Sequence, residues 1–411
     1  EDYKYCMGLG VLLPNINISS KEYERVDVSK DIDNFEFLKS LCRKGIKDYD
    51  INKKENKQVY YDRAKEELNI LNELGFVDYI LLNWDILEFC HRNEIPTGPG
   101  RGSAAGSLVL YLIGVTKIDP VENDLFFERF VSKSRARKIE KRGKTYLDGS
   151  LLADIDNDIA YEHRPKVIEY IEKKHPGRTA KILTLNTLSG KLCMKECIKI
   201  VGDLDESEAS RVSDMIPKQF GKVLPLCQAY EESEDFKKWA DENEEIFSVA
   251  KGIESLNKNT GVHPSGIAIS RSKISDICPT QKNSDGVLIT GYDMNWVAEL
   301  MVKFDILGLR TLSVIDDTCK LIGIKAEEID MHSEDVYLPL QELNSPHGLF
   351  QIEAETDFKV CKKIKPKNIE ELSAVLAIAR PGALEFLPNY ERYVQTGSFQ
   401  SIHPFFDEVL G

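Results

Sequence analysis

Three aspartates at alternate positions make one short segment of the sequence a candidate metal site. The acids of ADIDNDI are Asp154, Asp156 and Asp158. On a β-strand, residues two apart point to the same face, so these carboxylates would lie side by side while Ile155 and Ile159 face the core. Like charges at this spacing repel one another unless a cation lies between them. Hard cations such as Mg²⁺ prefer carboxylate oxygens, and paired carboxylates can bridge two ions, so we predict a divalent metal here.

Two other interpretations of the alternating acids are open at first, and the sequence excludes one of them. They could line the solvated face of a half-exposed strand, which would require no ligand. A calcium-binding EF-hand loop is excluded, because that loop needs glycine at its sixth position and glutamate at its twelfth. This sequence has Ile159 and Pro165 there.

A further aspartate lies within an apolar segment much later in the chain. LMVKFDIL, residues 300–307, is predicted to form a strand with Phe304 and Ile306 on the face opposite Asp305. A carboxylate that is buried alone is costly, so Asp305 should have a positive partner. Lys303 lies on the same face and could be that partner. Alternatively, this strand lies beside the first one and Asp305 completes the metal site.

A glycine-rich turn, GPGRGSAAGSLVLYLIG at residues 98–114, precedes an apolar segment that we predict to be helical from near Ser103. Glycine lets the backbone approach a ligand closely, and a helix N-terminus offers free N–H groups to an anion. We therefore predict a phosphate site, with Ser103 as helix cap or phosphate donor and Arg101 as a charged clamp. A tight packing corner is the alternative. The turn lacks the GK[ST] of a Walker loop and the preceding strand of a dinucleotide fingerprint.

Together, these residues form the set of groups that nucleotidyl transfer requires. The turn would hold phosphates, and the paired aspartates with the later one would hold metal ions. One such ion lowers the pKa of an attacking hydroxyl, while the other binds a triphosphate and its pyrophosphate leaving group.

The formal net charge of −14 argues against a nucleic-acid partner, but binding depends on local potential. SKSRARKIEKRGK, residues 132–144, carries seven Lys or Arg and one glutamate. It could be a solvated loop. Its place between the glycine-rich turn and the acidic segment favours contact with phosphates. The residues predicted to make this contact are Arg135, Arg137, Lys138, Lys141 and Arg142.

The remaining pattern predicts a mixture of helices and strands within two or three subdomains. The predicted helices outside the glycine-rich segment are residues 56–76, 79–94 and 164–177, an all-helical stretch at 187–260, and helical segments after Gly308. The predicted strands are residues 152–160, 179–185, 265–271, 287–293 and 300–307.

The composition excludes several classes of protein. No apolar stretch is long enough to span a membrane, and the first residues do not resemble a secretion signal. Nine scattered cysteines predict reduced thiols, hence a cytoplasmic protein. Cys193 and Cys197 lack the second pair of ligands that a zinc site needs. Because the chain begins at Glu1 without methionine, we interpret it as a piece of a longer protein.

Six motifs resemble, in order, those of the bacterial family C replicative DNA polymerases, the polymerase III alpha family. They are PTGPGRGSAAGSLVLYLIGVTKIDPVENDLFFERF, ADIDNDI, TGVHPSGIAIS, LMVKFDILGLRTL, LFQIEAETDFK and AIARPGALE. The resemblance implies an α/β (α+β) fold: a polymerase-beta-like nucleotidyltransferase palm with a mixed sheet, an inserted helical thumb and a helical fingers start. The implied domains are the first part of the palm with a helical lead-in at 1–186, the thumb at 187–260, the second part of the palm at 261–309, and a truncated start of the fingers at 310–411.

The resemblance also implies roles for individual residues. The family's catalytic, metal-binding aspartates, which use two Mg²⁺ ions, correspond to Asp154, Asp156 and Asp305. Asp158 corresponds to a third acid that is not usually assigned a metal. The residues implied to lie near the nucleotide are Arg101, Gly102, Ser103, Lys303 and Arg380.

The function implied is a template-directed DNA polymerase core that adds deoxynucleotides to a primer 3′-hydroxyl and releases pyrophosphate during DNA replication. Its partners would be primer–template DNA, deoxynucleoside triphosphates and, through regions outside this chain, a sliding clamp and other replisome proteins, with no membrane partner. The alternatives are a template-independent nucleotidyltransferase and a catalytically inactive DNA-binding subunit. The three acids favour an active enzyme, and the thumb and fingers favour a template-directed one.

The sequence departs from the family pattern near the paired acids. Ala153 stands where the family usually has proline, and Asn157 replaces an apolar residue. The link that carries the basic run is longer than usual. We interpret these departures as signs of a divergent member of the family, of the kind that phages or mobile elements encode.

Overall fold

The structure is a computed structural model that describes residues 10–30, 32–132, 138–141, 144–147, 154–219, 222–399, 401 and 404. Only the backbone is described at 138–141 and 144–145. The chain forms two compact units. The first comprises Glu1–Asn186 and Asn259–Thr318, and the second comprises Thr187–Lys258 and Cys319–Gly411.

Helices and strands alternate through much of the described chain. The α-helices are α1 (Ser20–Val26), α2 (Asn34–Asp48), α3 (Lys57–Glu73), α4 (Val77–Arg92), α5 (Leu108–Leu112), α6 (Arg164–Lys174), α7 (Gly190–Ile200), α8 (Glu206–Asp214), α9 (Leu226–Glu232), α10 (Glu234–Glu242), α11 (Glu244–Ile253), α12 (Met294–Ala298), α13 (Arg310–Ile322), α14 (Leu338–Gln341), α15 (Glu355–Ile364), α16 (Ile369–Ile378) and α17 (Leu387–Thr396). The strands are β1 (Lys138–Lys141), β2 (Lys144–Leu147), β3 (Asp156–Ala160), β4 (Thr179–Thr187), β5 (Lys218–Gln219), β6 (Lys222–Val223), β7 (Asn257–Ile269), β8 (Thr280–Lys282), β9 (Leu288–Asp293) and β10 (Val302–Leu309).

A six-stranded sheet with the strand order β3-β10-β7-β4-β9-β8 is the centre of the first unit. β10 pairs with β3 in parallel and with β7 in antiparallel orientation. β9 likewise pairs with β4 in parallel and with β8 in antiparallel orientation. The sheet is therefore mixed, and the predicted α/β class with a mixed sheet is confirmed.

The inner face of β3 and β10 is buried, as the alternating pattern of these two strands predicts, and it packs on α4. Ile159 on β3 and Ile306 on β10 are completely buried. The Tyr79 ring of α4 lies 5.4 Å from the Phe304 ring of β10, centroid to centroid. Burying an aliphatic or aromatic side chain of this size contributes about 1.5–3 kcal/mol, which fixes which face of each strand is turned to the core. The acids of β3 must then lie on the other face.

Asn157 is buried on the inner face of β3, where the family pattern has an apolar residue. Its Nδ2 donates a hydrogen bond to Oδ1 of Asn83 at 2.9 Å, and Nδ2 of Asn83 donates to the carbonyl oxygen of Tyr79 at 2.9 Å. A buried amide is costly unless it is hydrogen-bonded. The Asn83 partner on α4 satisfies the Nδ2 donor of Asn157, whereas the buried Oδ1 of Asn157 has no hydrogen-bond partner.

The second unit contains two separate hydrophobic clusters. One is formed by helices α7 to α11 around residues such as Met194, Phe236 and Phe247. The other lies among α15, α16 and α17 around Val360 and Val375. The stretch 187–260 is largely helical, as predicted, but it also contains the short antiparallel pair β5–β6 and the start of β7.

The cysteines that the structure describes are free thiols. Cys193 and Cys197 are buried in the hydrophobic cluster of α7 to α11. Burial raises the pKa of the Cys193 thiol to about 11, which disfavours the thiolate that a metal or a disulfide exchange would require. Among the described residues, none of the helices is both long enough and apolar enough to cross a membrane.

A buried ionic cluster joins α1, α4 and α6 in the first unit. Lys174 forms ion pairs with Asp85 and, at 3.3 Å, with Glu22, and the Tyr170 hydroxyl donates to Asp85 at 2.9 Å. Burial raises the pKa of the Asp85 carboxyl to about 6, although the Lys174 ammonium opposes this. The native state therefore binds a proton at Asp85 more tightly than the unfolded chain does.

We expect this difference to make the first unit more stable at mildly acidic pH. Because the pKa of Asp85 is raised in the folded state, its contribution is full below about pH 4 and is lost as the pH rises through about 6, a loss of about 2–3 kcal/mol. Asp85→Asn should flatten the pH profile by this amount. Urea unfolding followed by fluorescence of Trp84, with the other two tryptophans replaced by phenylalanine, measures the profile. The exposed Asp276→Asn is the control, and parallel wild-type and Asp85→Asn profiles would contradict the assignment.

Candidate active site

The predicted catalytic acids meet at one edge of the six-stranded sheet. β3 and β10 are parallel neighbours, and Asp305 is paired directly with Asp156 in their register. Neighbouring strands lie about 4.8 Å apart, so side chains on the same face of paired residues are adjacent. Asp154 lies two residues before Asp156, at the entrance to β3. The hypothesis that the strand of Asp305 lies beside the first strand is confirmed.

The carboxylates of this edge influence one another electrostatically. Loss of hydration raises the pKa of Asp154, and the nearby charges of Asp305 and Asp156 raise it further while Lys303 opposes them. Loss of hydration and the Asp305 charge raise the pKa of Asp156 in the same way, against Arg101 and Lys303. Such a cluster of acids favours the approach of a cation.

Asp305 is buried and hydrogen-bonded through both carboxylate oxygens. Its Oδ2 lies 2.7 Å from Nζ of Lys303, and its Oδ1 accepts a hydrogen bond of 3.0 Å from Oγ of Ser265 on β7. The sequence offered two alternatives for Asp305: an ion pair with Lys303, or a position on a strand beside the first one. The structure contains the ion pair and also places β10 beside β3. Lys303 is thus placed at the predicted site.

Two residues without a role predicted from the sequence, Arg164 and His263, support the backbone around Ser265 and Asp305. Arg164 donates from Nε to the carbonyl oxygen of Ile306 at 2.7 Å and from Nη2 to that of Ser265 at 3.3 Å. Nδ1 of His263 accepts hydrogen bonds from the backbone N–H of Gly266 at 2.8 Å and of Ser265 at 3.3 Å. For His263, the signal available in the sequence was the HPS tripeptide directly before the buried, apolar end of β7.

The acids fit a hard divalent cation by their chemistry. Carboxylate oxygens are the ligands that Mg²⁺ takes, and the pKa values of Asp154 and Asp156 are raised by loss of hydration and, to a smaller extent, by the neighbouring carboxylates. Within the described part of the chain, no three acidic, histidine or cysteine side chains are arranged closely enough to hold an ion as they stand. Lys303 occupies one oxygen of Asp305, so a bound cation would have to share that carboxylate with the ammonium.

Within the glycine-rich segment, a 3₁₀ helix comprises Gly102–Gly106, and the α-helix α5 starts at Leu108. The cap of α5 is Ser107, whose Oγ accepts from the N–H of Leu110 at 3.3 Å, so Ser103 is not the cap. Serine at the position just before the first helical residue satisfies an otherwise unpaired N–H. The predicted helical start near Ser103 is corrected accordingly.

The N-terminus of α5 is occupied by a carboxylate of the protein. Glu67 on α3 accepts hydrogen bonds from the N–H groups of Leu108 and Val109, both at 3.0 Å, and from Oγ of Ser107 at 2.9 Å. Arg63 donates to Glu67 at 2.9 Å and to the Gly106 carbonyl oxygen at 2.6 Å. Because these amides already bind an anion, the α5 terminus does not serve as the predicted phosphate cradle.

The turn itself lies directly against the strand of the acids. The backbone N–H of Gly98 donates to the Asp158 carbonyl oxygen at 2.9 Å, and a Cβ at Gly98 would lie 2.8 Å from Cβ of Asp158. Arg101 then reaches the same residue, with Nη1 at 3.4 Å from Oδ1 of Asp158. Gly102 has a φ of +63°, a conformation that glycine adopts without strain. The turn therefore packs closely against β3 and places Arg101 beside that strand.

The other predicted site residues are Arg380 and the five basic residues between 135 and 142, and the structure describes only some of them. Arg380 is exposed in the second unit, just after α16. Lys138 and Lys141 lie on β1, which pairs with β2 in an antiparallel ribbon, and their side chains are outside the description. The predicted phosphate contacts outside the described residues are Arg135, Arg137 and Arg142.

Comparison with known proteins identifies the family. Residues 36–308 match the family described as the bacterial DNA polymerase III alpha NTPase domain, and residues 311–411 match its alpha subunit finger domain. The chain belongs to the bacterial DNA polymerase III alpha family. The family identification made from the sequence motifs is therefore confirmed.

Several curated relatives carry the name DNA polymerase III subunit alpha. The chain is 31% identical to that of Bacillus subtilis over 364 residues, which are 86% of this chain and 31% of the relative. It is 33% identical to that of Staphylococcus aureus over 367 residues, 86% of this chain and 33% of the relative. The Deinococcus radiodurans protein is 32% identical over 346 residues, 80% of this chain and 25% of the relative. The chain thus spans a quarter to a third of the length of these relatives.

Proposed function

We propose that this chain is part of the catalytic core of a template-directed DNA polymerase in bacterial DNA replication. The observation that carries the proposal is the direct pairing of Asp156 with Asp305, next to Asp154, in a member of the polymerase III alpha family. The reaction adds a deoxynucleotide to a primer 3′-hydroxyl and releases pyrophosphate.

In this proposal, each polar group of the sheet edge has a distinct task. Asp154 and Asp156 would hold two Mg²⁺ ions, and Asp305 would contribute a further carboxylate to them. Such ions, when bound, lower the pKa of the attacking hydroxyl and neutralise the leaving group. Ser265 keeps the Asp305 carboxylate in one orientation, and Lys303 adds positive charge beside it. Arg101, Gly102 and Ser103 face the triphosphate.

The domain assignment is part of the same proposal. The palm, of the polymerase-beta type, comprises residues 1–186 and 261–309, the thumb is 187–260, and 310–411 begins the fingers with Arg380 near the nucleotide. The residues proposed to contact the DNA backbone are Arg135, Arg137, Lys138, Lys141 and Arg142. The sliding clamp and other replisome proteins would bind regions outside this chain, in the bacterial cytoplasm.

Primer extension by the full-length protein tests the proposed function. We expect extension of a labelled primer that follows the template sequence, requires Mg²⁺ and releases one pyrophosphate per nucleotide. Extension without a template would instead support the template-independent transferase. DNA binding without any extension would support the inactive subunit.

Ser265 provides a second, smaller test of the site. Ser265→Ala removes the hydrogen bond to Oδ1 of Asp305 while the Lys303 pair at Oδ2 remains. A hydrogen bond to a charged group contributes about 1.5–3 kcal/mol, so we expect kcat to fall about tenfold or more. Steady-state primer extension at saturating nucleotide measures the effect. Ser265→Thr keeps the hydroxyl and is the control, and an unchanged kcat for Ser265→Ala would show that the bond has no catalytic value.

A further inference from the structure

We propose that Asp158, the third acid of ADIDNDI, is a positioning residue that orients the guanidinium of Arg101 towards the phosphates of a nucleotide. The inference rests on the proposed function, to which it adds a role for the acid that the two-metal scheme leaves unused.

The strand register separates Asp158 from the metal-binding acids. Asp156 is paired with Asp305, whereas Asp158 is paired with Leu307. Two residues along a strand correspond to about 6.6 Å, so Asp158 lies one full repeat away from the pair. A ligand set centred on Asp156 and Asp305 therefore leaves Asp158 at its periphery.

The partner of Asp158 is a cation that remains partly exposed. Its Oδ1 lies 3.4 Å from Nη1 of Arg101, and the side chain of Asp158 is 9% exposed while that of Arg101 is 34% exposed. Loss of hydration raises the pKa of Asp158, and Arg101 acts against this. The contact uses one of the five N–H donors of a guanidinium, which is planar, so a carboxylate at one nitrogen restricts the directions that the other donors can take.

Asp158 also binds the backbone of the same turn. Its carbonyl oxygen accepts from the N–H of Gly98 at 2.9 Å, and the next residue, Ile159, forms an antiparallel bridge with Thr97. The side chain and the main chain of one residue thus fix both ends of the segment from Thr97 to Arg101. This arrangement suits a phosphate-binding turn that must stay in register with the acids two residues earlier on β3.

The occupied terminus of α5 supports this assignment. Because Glu67 takes the amides of Leu108 and Val109, an incoming phosphate has to be bound by the upstream part of the turn. Arg101 is the charged side chain of that part. Its orientation then decides how well the turn binds a triphosphate.

The test is a double-mutant cycle on nucleotide affinity in the full-length protein. The probe is a deoxynucleoside triphosphate with a nonhydrolysable α,β-imido bond, titrated in the presence of Mg²⁺ and primer–template DNA. Asp158→Asn keeps the size of the side chain and removes its charge, and we expect it to weaken binding about tenfold. Arg101→Ala should weaken binding at least as much, and adding Asp158→Asn to Arg101→Ala should change the affinity by less than about twofold, because Asp158 acts through Arg101.

Three further measurements distinguish positioning from other roles. Asp158→Glu should recover most of the affinity, since it restores the charge. In primer extension, KM for the nucleotide should rise more than kcat falls for Asp158→Asn, and the Mg²⁺ concentration at half-maximal rate should stay unchanged. The exposed Asp276→Asn is the matched control, with wild-type affinity and rate expected.

Specific outcomes overturn the inference. Independent, multiplicative effects of the two substitutions would show that Asp158 does not act through Arg101. A higher Mg²⁺ requirement for Asp158→Asn would make it a metal ligand, and tighter nucleotide binding would make it a competitor of the phosphates. If the wild-type protein bound the nucleotide but did not extend primers, the proposed function would fail while the cycle on binding would still decide the role of Asp158. No nucleotide binding by the wild type would overturn the inference itself.

Discussion

Asp156→Asn in the full-length protein is expected to reduce Mg²⁺-dependent primer extension by about a thousandfold or more, because it removes a metal ligand at the reacting centre. Asp156 is the acid paired with Asp305 in the register, so its carboxylate is central to the proposed site. Single-turnover primer extension, at nucleotide and Mg²⁺ concentrations that saturate the wild type, measures the chemical step.

The same substitution is expected to leave the fold intact and slightly more stable. The pKa of Asp156 is raised by lost hydration and by the Asp305 charge, so its ionised form destabilises the native state at neutral pH. An amide of equal size removes this repulsion, and we expect the free energy of unfolding to rise. Asp276→Asn, at an exposed position of the same unit, should change neither activity nor stability. Extension within tenfold of the wild-type rate by Asp156→Asn would contradict the assignment of the site.

Glu67→Ala is expected to have the largest effect on stability among single substitutions at the turn. The Glu67 carboxylate is fully enclosed and accepts from Arg63, Ser107 and the first amides of α5. Removing it leaves the buried N–H groups of Leu108 and Val109 without an acceptor, and an unsatisfied buried donor costs about 1–3 kcal/mol. Urea unfolding followed by Trp84 fluorescence, in the single-tryptophan background, measures the loss.

Two variants make this second prediction specific. Glu66→Ala changes the exposed neighbour on the same helix and should alter stability by less than about 0.5 kcal/mol. Glu67→Gln keeps an acceptor for the α5 amides but loses the charge, so its effect should be intermediate. Hydrogen exchange at Leu108 and Val109 should accelerate in Glu67→Ala, because these amides donate to the missing carboxylate. Unchanged exchange there would contradict the proposed cause.

Much of the fold around the site could be predicted from local spacing. The period of two in ADIDNDI and in LMVKFDIL indicated which side chains are buried, and Ile159 and Ile306 are indeed in the core. A strand that buries one face has to expose the other, so the acids of β3 are on one side whatever the rest of the chain does. The order of motifs in the sequence was also sufficient for the family.

The first residues of helices were less predictable from the sequence, because side chains that are distant along the chain can cap a helix N-terminus. The apolar segment after the glycines suggested a helix from Ser103, yet α5 starts at Leu108 and is capped by Ser107. Nothing near that segment in the sequence indicates that Glu67, forty-one residues before Leu108, supplies the anion for its first amides. The sequence of the turn therefore did not reveal that Glu67 takes the first amides of α5.

The sequence by itself determined the types of chemical group, the faces on which they lie and the family. The tertiary structure decided the distant partners: Asp305 beside Asp156, Ser265 on one oxygen of Asp305, and Arg101 on Asp158. The physical reason is the separation along the chain between the residues that determine each feature. The face that a side chain takes follows from the backbone period over a few residues, whereas a hydrogen bond between residues that are forty or more positions apart forms only when the sheet register and helix packing bring the two groups together.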